Sequence, residues 1–389
     1  MLSLLACTPA PPFDSAPDTA APGLVDSAAP GDTALPADTA ELAILSCADF
    51  GTAACLVVDG SRATGPDSFA TVNEALAAAT GAEDRVVILI RRGTYRETLS
   101  IAQPRLTLAG EVEGDASAVR IVYDNANPKD KGDGTTYGTA GSATVVVTGT
   151  GFKGKNFTIE NDWVEGSDDP ENPSANQAAL ALWALGEDLV LDNVALLGDQ
   201  DTLCADGNGS LDTLPTRQYY RRCTVVGDVD FIFGRATAVF DRCSIEASGT
   251  RLGGSPSYIT AASTDQNTLG YLFVDSEFSG DGSFYLGRPW NSAVPGSAVN
   301  AQVTVRGSTL GAHVLAEGWA DWANQGGVDL LAANMRYLEY DNDGPGAVST
   351  STGARRVLSG DEASAYEIDD YLDDGTGWYD VDRKGFWAE

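Results

Sequence analysis

Arg222-Cys223-Thr224-Val225 returns twenty residues later as Arg242-Cys243-Ser244-Ile245, each copy flanked by short apolar, β-branched runs. Four more segments have the same pattern of a strand, a small polar corner and another strand: Lys155-Asn156-Phe157-Thr158-Ile159, Asp192-Asn193-Val194-Ala195-Leu196, Asp275-Ser276-Glu277-Phe278 and Gly307-Ser308-Thr309-Leu310. With Asn156, Asn193, Cys223, Cys243, Ser276 and Ser308 as the corners, the steps are 37, 30, 20, 33 and 32 residues. Twenty residues is about one coil of a parallel β-helix, and the longer steps are coils carrying loop insertions. One coil cannot bury its apolar face alone, so stacked neighbours must make the core. A sandwich would need tight Asn-Gly or Asp-Gly hairpins, and no run of them is present. The fold class expected is all-β, a single-stranded parallel β-helix over residues 47–389. On that geometry Cys223 and Cys243 stack one coil apart within bridging reach, with Cys204 a competing partner.

Outward from this repeat the chain stays strand-rich, with 43 glycines and runs such as Val86-Val87-Ile88-Leu89-Ile90, Thr144-Val145-Val146-Val147 and Leu189-Val190-Leu191. The clearest helical stretch is Phe69 to Ala79, stopped at Gly81. Residues 8–46 hold no Lys or Arg and repeat Asp-Thr-Ala at Asp18, Asp32 and Asp38, which reads as an acidic disordered linker. Before it, Leu4-Leu5-Ala6-Cys7 is similar to a bacterial lipobox, so residues 1–7 read as a truncated lipoprotein-type signal with a lipid anchor at Cys7. An exported or surface-tethered protein is expected, and in an oxidising compartment Cys47 and Cys55 can close a small loop.

Composition narrows the chemistry. The 389 residues carry 24 Lys and Arg against 56 Asp and Glu, a net charge of -32, which disfavours a nucleic-acid partner. His313 is the one histidine. No Gly-x-Ser-x-Gly elbow accompanies it, and a zinc site built on several histidines is excluded. Catalysis, if present, falls to carboxylates, amides and arginines.

Two aspartates stand out because their surroundings are apolar and glycine-rich: Asp230 in Gly227-Asp228-Val229-Asp230-Phe231-Ile232-Phe233-Gly234, and Asp201 in Gly198-Asp199-Gln200-Asp201-Thr202-Leu203. Burying such a charge costs several kcal/mol unless it is compensated. Gln177, Gln200, Asp201, Asp230 and Arg288 are 23, 1, 29 and 58 residues apart, and coils stacked at roughly 4.8 Å can gather them on one outer face. If the aspartates lie close, one takes a proton near neutral pH. Arg288 is the candidate to keep Asp230 ionised, leaving Asp201 as the acid. An ionised Asp can attack an ester carbonyl, a protonated one can donate to the leaving alkoxide, and the Gln177 and Gln200 amides can receive the oxyanion. Paired carboxylates would equally serve a retaining glycosidase, so spacing alone leaves the reaction open.

Gly93-x-Tyr95-x-Glu97, Gln177-Ala178-Ala179-Leu180-Ala181, Gln200-Asp201-Thr202-Leu203, Asp230-Phe231-Ile232-Phe233-Gly234 and Leu286-Gly287-Arg288-Pro289-Trp290 resemble, in order, the signature motifs of pectin methylesterases. Gly318-Trp319-Ala320-Asp321-Trp322 and Glu339-Tyr340-Asp341-Asn342-Asp343-Gly344-Pro345-Gly346-Ala347 extend the resemblance, which spans roughly residues 55–380. It implies a right-handed β-helix, methyl-ester hydrolysis of homogalacturonan without a cofactor or metal, and a monomer whose partner is pectin. Carried over by motif, Asp230 matches the nucleophile, Asp201 the general acid and later base, Gln177 and Gln200 the oxyanion donors, and Arg288 the nucleophile's partner. Phe233 and Trp290 match groove aromatics, and Thr139, in Tyr137-Gly138-Thr139-Ala140-Gly141-Ser142, a groove-lining position. Gly93, Tyr95 and Glu97 read as structural, Trp319 and Trp322 as core or groove wall, and His313 as a bystander. The chain departs from the pattern at Cys204, where relatives usually carry an aromatic, and in an insertion near Asp206-Gly207-Asn208-Gly209-Ser210 expected to overhang the groove. Rival readings are an esterase of the same family acting on acetyl or acyl esters, a lyase or glycosidase on this scaffold, and a non-catalytic polysaccharide-binding β-helix.

Overall fold

The computed structural model describes residues 42–51, 54–65, 68–164, 176–207, 216–292, 299–325, 327–381 and 386. The lipobox-like segment, the linker up to residue 41 and insertion residues 208–215 lie outside the described residues. Ordered pairing starts slightly before Cys47: Leu45 is buried and its N–H donates to the Glu111 carbonyl.

The chain winds as a right-handed parallel β-helix. One face is a seven-stranded parallel sheet built in the order Leu99–Ile101, Val145–Val147, Leu182–Ala184, Leu203–Ala205, Ile232–Gly234, Ser257–Ala262 and Phe284–Gly287. The other two faces merge into one larger sheet, because Lys153–Asn161 and Leu189–Leu197 bend through the corner without leaving the ladder. Among the described residues the one antiparallel strand pair is Trp322–Gln325 with Val328–Leu330.

The repeating corner is real and its phase is clear. Asn156, Asn193, Arg222, Arg242, Asp275, Gly307 and Asp341 take left-handed backbone, with φ between 49° and 59°. From the third coil on, the turning residue therefore precedes the expected one by a single position. The expected residues have a different task, joining one coil to the next. Cys243 N–H donates to Ser276 Oγ, Ser276 N–H to Ser308 Oγ, and Ser308 N–H to Asn342 Oδ1. A left-handed non-glycine residue costs about 1 kcal/mol or more, which these repeated inter-coil bonds offset.

Inside the coils, alternate residues point inward and stack on the same position one coil away. Tyr220, Phe240 and Phe273 lie in register, with ring centroids 4.7 and 4.5 Å apart. Cys223 and Cys243 are buried in the same core as free thiols. Cys204 is likewise in no disulfide, and it cannot compete for either, because it points outward from the seven-stranded sheet. Cys47 and Cys55 are disulfide-bonded.

The expected helix is shorter than its sequence suggested. Ser68–Phe69 pairs as a strand with Val57 and Val58, and the helix runs Val72–Ala79. Thr71 and Glu74 form a capping box that fixes the start, and Glu97 accepts the Val72 and Asn73 N–H groups. Glu97 is thus structural, as is Tyr95, buried with its hydroxyl donating to the Arg91 carbonyl. The helix packs Val72, Ala75 and Ala79 into the first coils.

Candidate active site

Side chains alternate across the seven-stranded sheet. Leu182, Ala184, Leu203, Ala205 and Ile232 enter the core, while Trp183, Cys204 and Phe233, paired in register, face outward. Just before these strands the same register brings the two aspartates together. Gln200 pairs with Val229 and Leu203 with Ile232, so a 29-residue offset holds on both sides of Asp201 and sets it opposite Asp230. Strand neighbours are roughly 4.8 Å apart. Asp201 N–H donates to the Val229 carbonyl and Asp230 N–H to the Tyr258 carbonyl. Both aspartates are left-handed, φ 65° and 48°, so each turns its carboxyl at the end of the sheet. Aspartate tolerates that conformation better than most residues.

The two carboxyls are unequal. Arg288 Nε donates to Asp230 Oδ1 at 2.9 Å and its terminal nitrogen to Oδ2 at 2.5 Å, a bidentate pair. The guanidinium is itself fixed between two rings, 3.8 Å from the Tyr258 centroid and 3.4 Å from the Trp322 centroid. Asp201 has no arginine of its own. Burial first, then the charge of Asp230, push its carboxyl well above the usual range, with Asp228 adding to the rise while Arg288 and a hydrogen bond from Gln200 oppose it. A proton on this pair is therefore favoured on Asp201.

Two amides complete the group. Trp163 Nε1–H donates to Gln177 Oε1 at 3.1 Å, which fixes the amide, while Gln177 Nε2 is buried with no hydrogen-bond partner. Gln200 Nε2 donates to Asn176 Oδ1 at 3.2 Å. A buried orphan donor costs about 1–3 kcal/mol. An oxyanion formed beside it would remove that cost, which is the arrangement an ester hydrolase requires.

A second pair of aspartates continues the pattern. Asp228 N–H donates to the Asp199 carbonyl, two residues before the Asp201–Asp230 pair. Burial and Asp199 push the Asp228 carboxyl up to about 8 against backbone hydrogen bonds at Val229 and Asp228, and Arg251 reaches its Oδ2 with two nitrogens at 2.7 and 2.6 Å.

The structure joins most of the residues expected from sequence. Phe233 and Trp290 meet edge-to-face at 5.6 Å on the outer face. Thr139 is buried in the short helix Gly138–Gly141, and its neighbours Ala140 and Ala143 pack on the outer-face cluster. Trp319 is core, stacked on Tyr337 at 4.2 Å, whereas Trp322 is the wall against Arg288. His313 is buried against Phe284. Missed from sequence were Trp163, Asn176, Tyr258, Trp183 and the Asp228–Arg251 pair. Asp228 alone had a signal, since residues two apart on a strand share a face. Trp183 lies beside Cys204 in the preceding coil and packs into the same cluster.

Comparisons with known proteins agree with this geometry. A family model described as pectinesterase matches residues 58–375. A pectinesterase of Ralstonia solanacearum is 34% identical over 320 residues, covering 73% of this chain and 78% of that protein. Probable pectinesterase/pectinesterase inhibitor 17 of Arabidopsis thaliana is 31% identical over 329 residues, covering 80% of this chain and 56% of that protein. Among solved structures, a pectin methylesterase in complex with hexasaccharide VII matches with a TM-score of 0.73 at 28% identity, covering 82% of this chain and 97% of that one. The pectin methylesterase PemA from Erwinia chrysanthemi matches with a TM-score of 0.72 at 27% identity, with the same coverage.

Proposed function

The chain belongs to the pectinesterase family and is a carboxylic ester hydrolase, and from that premise we propose that it hydrolyses the methyl esters of homogalacturonan with Asp230 as nucleophile and Asp201 as acid and base. Asp230, held by Arg288, attacks the C6 carbonyl of a methyl galacturonate. The carbonyl oxygen becomes an oxyanion and takes hydrogen bonds from Gln177 Nε2 and the Gln200 amide. As the tetrahedral centre collapses, the C–O bond to methoxide breaks and the Asp201 proton passes to that oxygen, releasing methanol. An acyl anhydride between Asp230 and the sugar remains. Asp201, now ionised, takes a proton from water, the water attacks the anhydride, and collapse frees the galacturonate carboxyl and the Asp230 carboxylate. Ester and water have become acid and methanol, and Asp201 again carries its proton.

The observation that carries this reading is the asymmetry of two carboxyls in register, one clamped by a guanidinium and one raised by burial beside the other's charge. Phe233, Trp290 and Trp183 supply an apolar floor suited to the C–H faces of sugars, with Thr139 at its margin. The Cys47–Cys55 bridge and the lipobox-like Leu4–Cys7 support an exported enzyme, free or tethered through Cys7.

Asp230→Asn keeps the shape and removes the attacking charge. Methanol release from methyl-esterified pectin is expected to fall by at least about 10³-fold while the thermal transition persists. Activity near that of the parent enzyme would overturn the assignment.

A further inference from the structure

The guanidinium that clamps the nucleophile is held twice over. Its hydrogen bonds go to Asp230, its one ion-pair partner among the described residues. Its two faces are covered by rings, with the Tyr258 centroid 3.8 Å away and the Trp322 centroid 3.4 Å away. Separations this short put the cation in contact with both π faces. Each ring is braced in turn. Tyr258 is stacked on Tyr285 of the next coil, 5.6 Å apart at 14°, and its carbonyl accepts the Asp230 N–H. Trp322 opens the antiparallel pair with Val328–Leu330, anchored where Asp321 accepts the Ala332 N–H at 2.7 Å and where Trp319 pairs with Gly287. A bidentate ion pair is already directional, so the rings are surplus to orienting Asp230 in the resting enzyme.

What the resting enzyme does not need, the reaction does. Acylation turns the Asp230 carboxylate into a neutral anhydride and sends the Asp201 proton to methoxide. The negative charge thereby passes from one aspartate to the other. Asp201 lies opposite Asp230 on the neighbouring strand, near enough for the charge of Arg288 to favour its ionised form. A guanidinium tied to Asp230 alone would lose its partner at that moment and turn to the new carboxylate. Paired in that way, Asp201 is a weaker base toward the water that must attack next. Ring faces, by contrast, hold a cation whether or not Asp230 is charged.

Resting on the reading of Asp230 as nucleophile and Asp201 as acid and base, we propose that Tyr258 and Trp322 are positioning residues that keep Arg288 from following the charge to Asp201 in the acyl-enzyme. They act on deacylation, where Asp230 no longer holds the guanidinium. They leave acylation nearly untouched, because until the anhydride forms the ion pair fixes Arg288 without them.

Methanol leaves during acylation, so kcat/KM reports the first half of the reaction and kcat includes the second. Trp322→Leu is expected to lower kcat on methyl-esterified hexagalacturonate about tenfold while kcat/KM stays within about twofold, with KM falling in step. Rapid mixing should then show a burst of methanol equal to the enzyme present, because acyl-enzyme accumulates. Trp322→Phe keeps a ring face and should restore kcat to within about threefold of the parent enzyme. Tyr258→Leu and Tyr258→Phe repeat the comparison from the other face and carry the test if Trp322→Leu does not fold. Equal falls in kcat and kcat/KM overturn the proposal, as does an unchanged kcat or a Trp322→Phe enzyme no better than Trp322→Leu. Hydroxylamine added during turnover should capture the acyl group as a hydroxamate, its nitrogen attacking C6 and Asp230 leaving as the carboxylate. No hydroxamate above the enzyme-free background overturns the acyl intermediate and this proposal with it. Hydroxamate beside an unchanged kcat overturns the role of the rings alone.

Discussion

Two outer faces of the same β-helix present apolar rows of the same origin, and they meet different fates. On one, Val190, Tyr219, Val239 and Leu272 stack coil over coil and are covered by the chain's own C-terminal segment through Tyr371, Leu372, Val381 and Phe386. On the other, Trp183, Cys204 and Phe233 stack in the same manner with Trp290 above them, next to Asp201 and Asp230. The covered face spends its polar groups on the cover: Gln302 Nε2 donates to the Tyr371 hydroxyl, Arg217 reaches the Leu372 carbonyl and Asp374, and Lys153 Nζ donates to the Phe386 carbonyl. The other face keeps donors unspent, with Gln177 Nε2 and Trp183 Nε1 both buried and unpartnered. Repetition makes both faces able to bind something, and these two unspent donors lie on the face that carries the aspartate pair.

The largest break in this comparison comes from removing a saved donor. Gln177→Ala should lower kcat for methanol release by about 10²–10³-fold, the usual cost of one oxyanion donor. Its cost to stability should stay near 1 kcal/mol, because only the Trp163 N–H loses an acceptor. A thermal melt beside an assay separates the two. A large loss of stability with kcat preserved would mean that Gln177 belongs to the scaffold.

The covered face should respond in the opposite sense. Leu372 belongs to the covering C-terminal segment and is fully buried against this face. Leu372→Ala should destabilise the fold by about 2–5 kcal/mol, the range for a leucine truncated in a packed core. The folded fraction should keep its kcat, since the described residues of this cluster pack on one another and not on the aspartate pair. Denaturant unfolding measures the first quantity, and activity well below the transition measures the second.

Much of this contrast could be read from the sequence. The twenty-residue step between Cys223 and Cys243 sets the coil, and Asp201, Asp230 and Arg288 could be grouped because their motifs occur in strand-like runs. What could not be read depends on how coils of unequal length register on one another. The left-handed residue sits one place before Cys223 and Cys243 because phase is set by inter-coil bonds such as Cys243 N–H to Ser276, not by the local run. Trp183 lies beside Cys204 because the strand holding it pairs with the next in a register that the sequence does not state. Tyr258 and Trp322 enclose Arg288 from segments 64 residues apart, and no local pattern announces a three-layer stack.

The smallest effect sharpens the comparison most, because it touches neither a donor nor the core. Asp228 is fully buried, held by Arg251 at 2.7 and 2.6 Å, and its charge is one of the causes that raise Asp201, after burial and Asp230. On the proposed mechanism Asp201 must carry a proton to release methoxide, so its ionisation should set the alkaline limb of kcat/KM. Asp228 is itself pushed up to about 8 by burial and Asp199, so it carries its charge above that pH, and there Asp228→Asn removes a like charge, makes ionised Asp201 less costly and lowers its pKa. The alkaline limb should therefore move toward lower pH by up to about one unit. Arg288 and the Gln200 bond already pull in that direction, and Asp230 and burial continue to oppose them, which keeps the shift modest. A pH–rate profile of the variant decides it. A uniform fall in kcat with the limb unmoved would make the Asp228–Arg251 pair a structural brace, and a limb moving to higher pH would reverse the sign of the coupling between the two carboxyls.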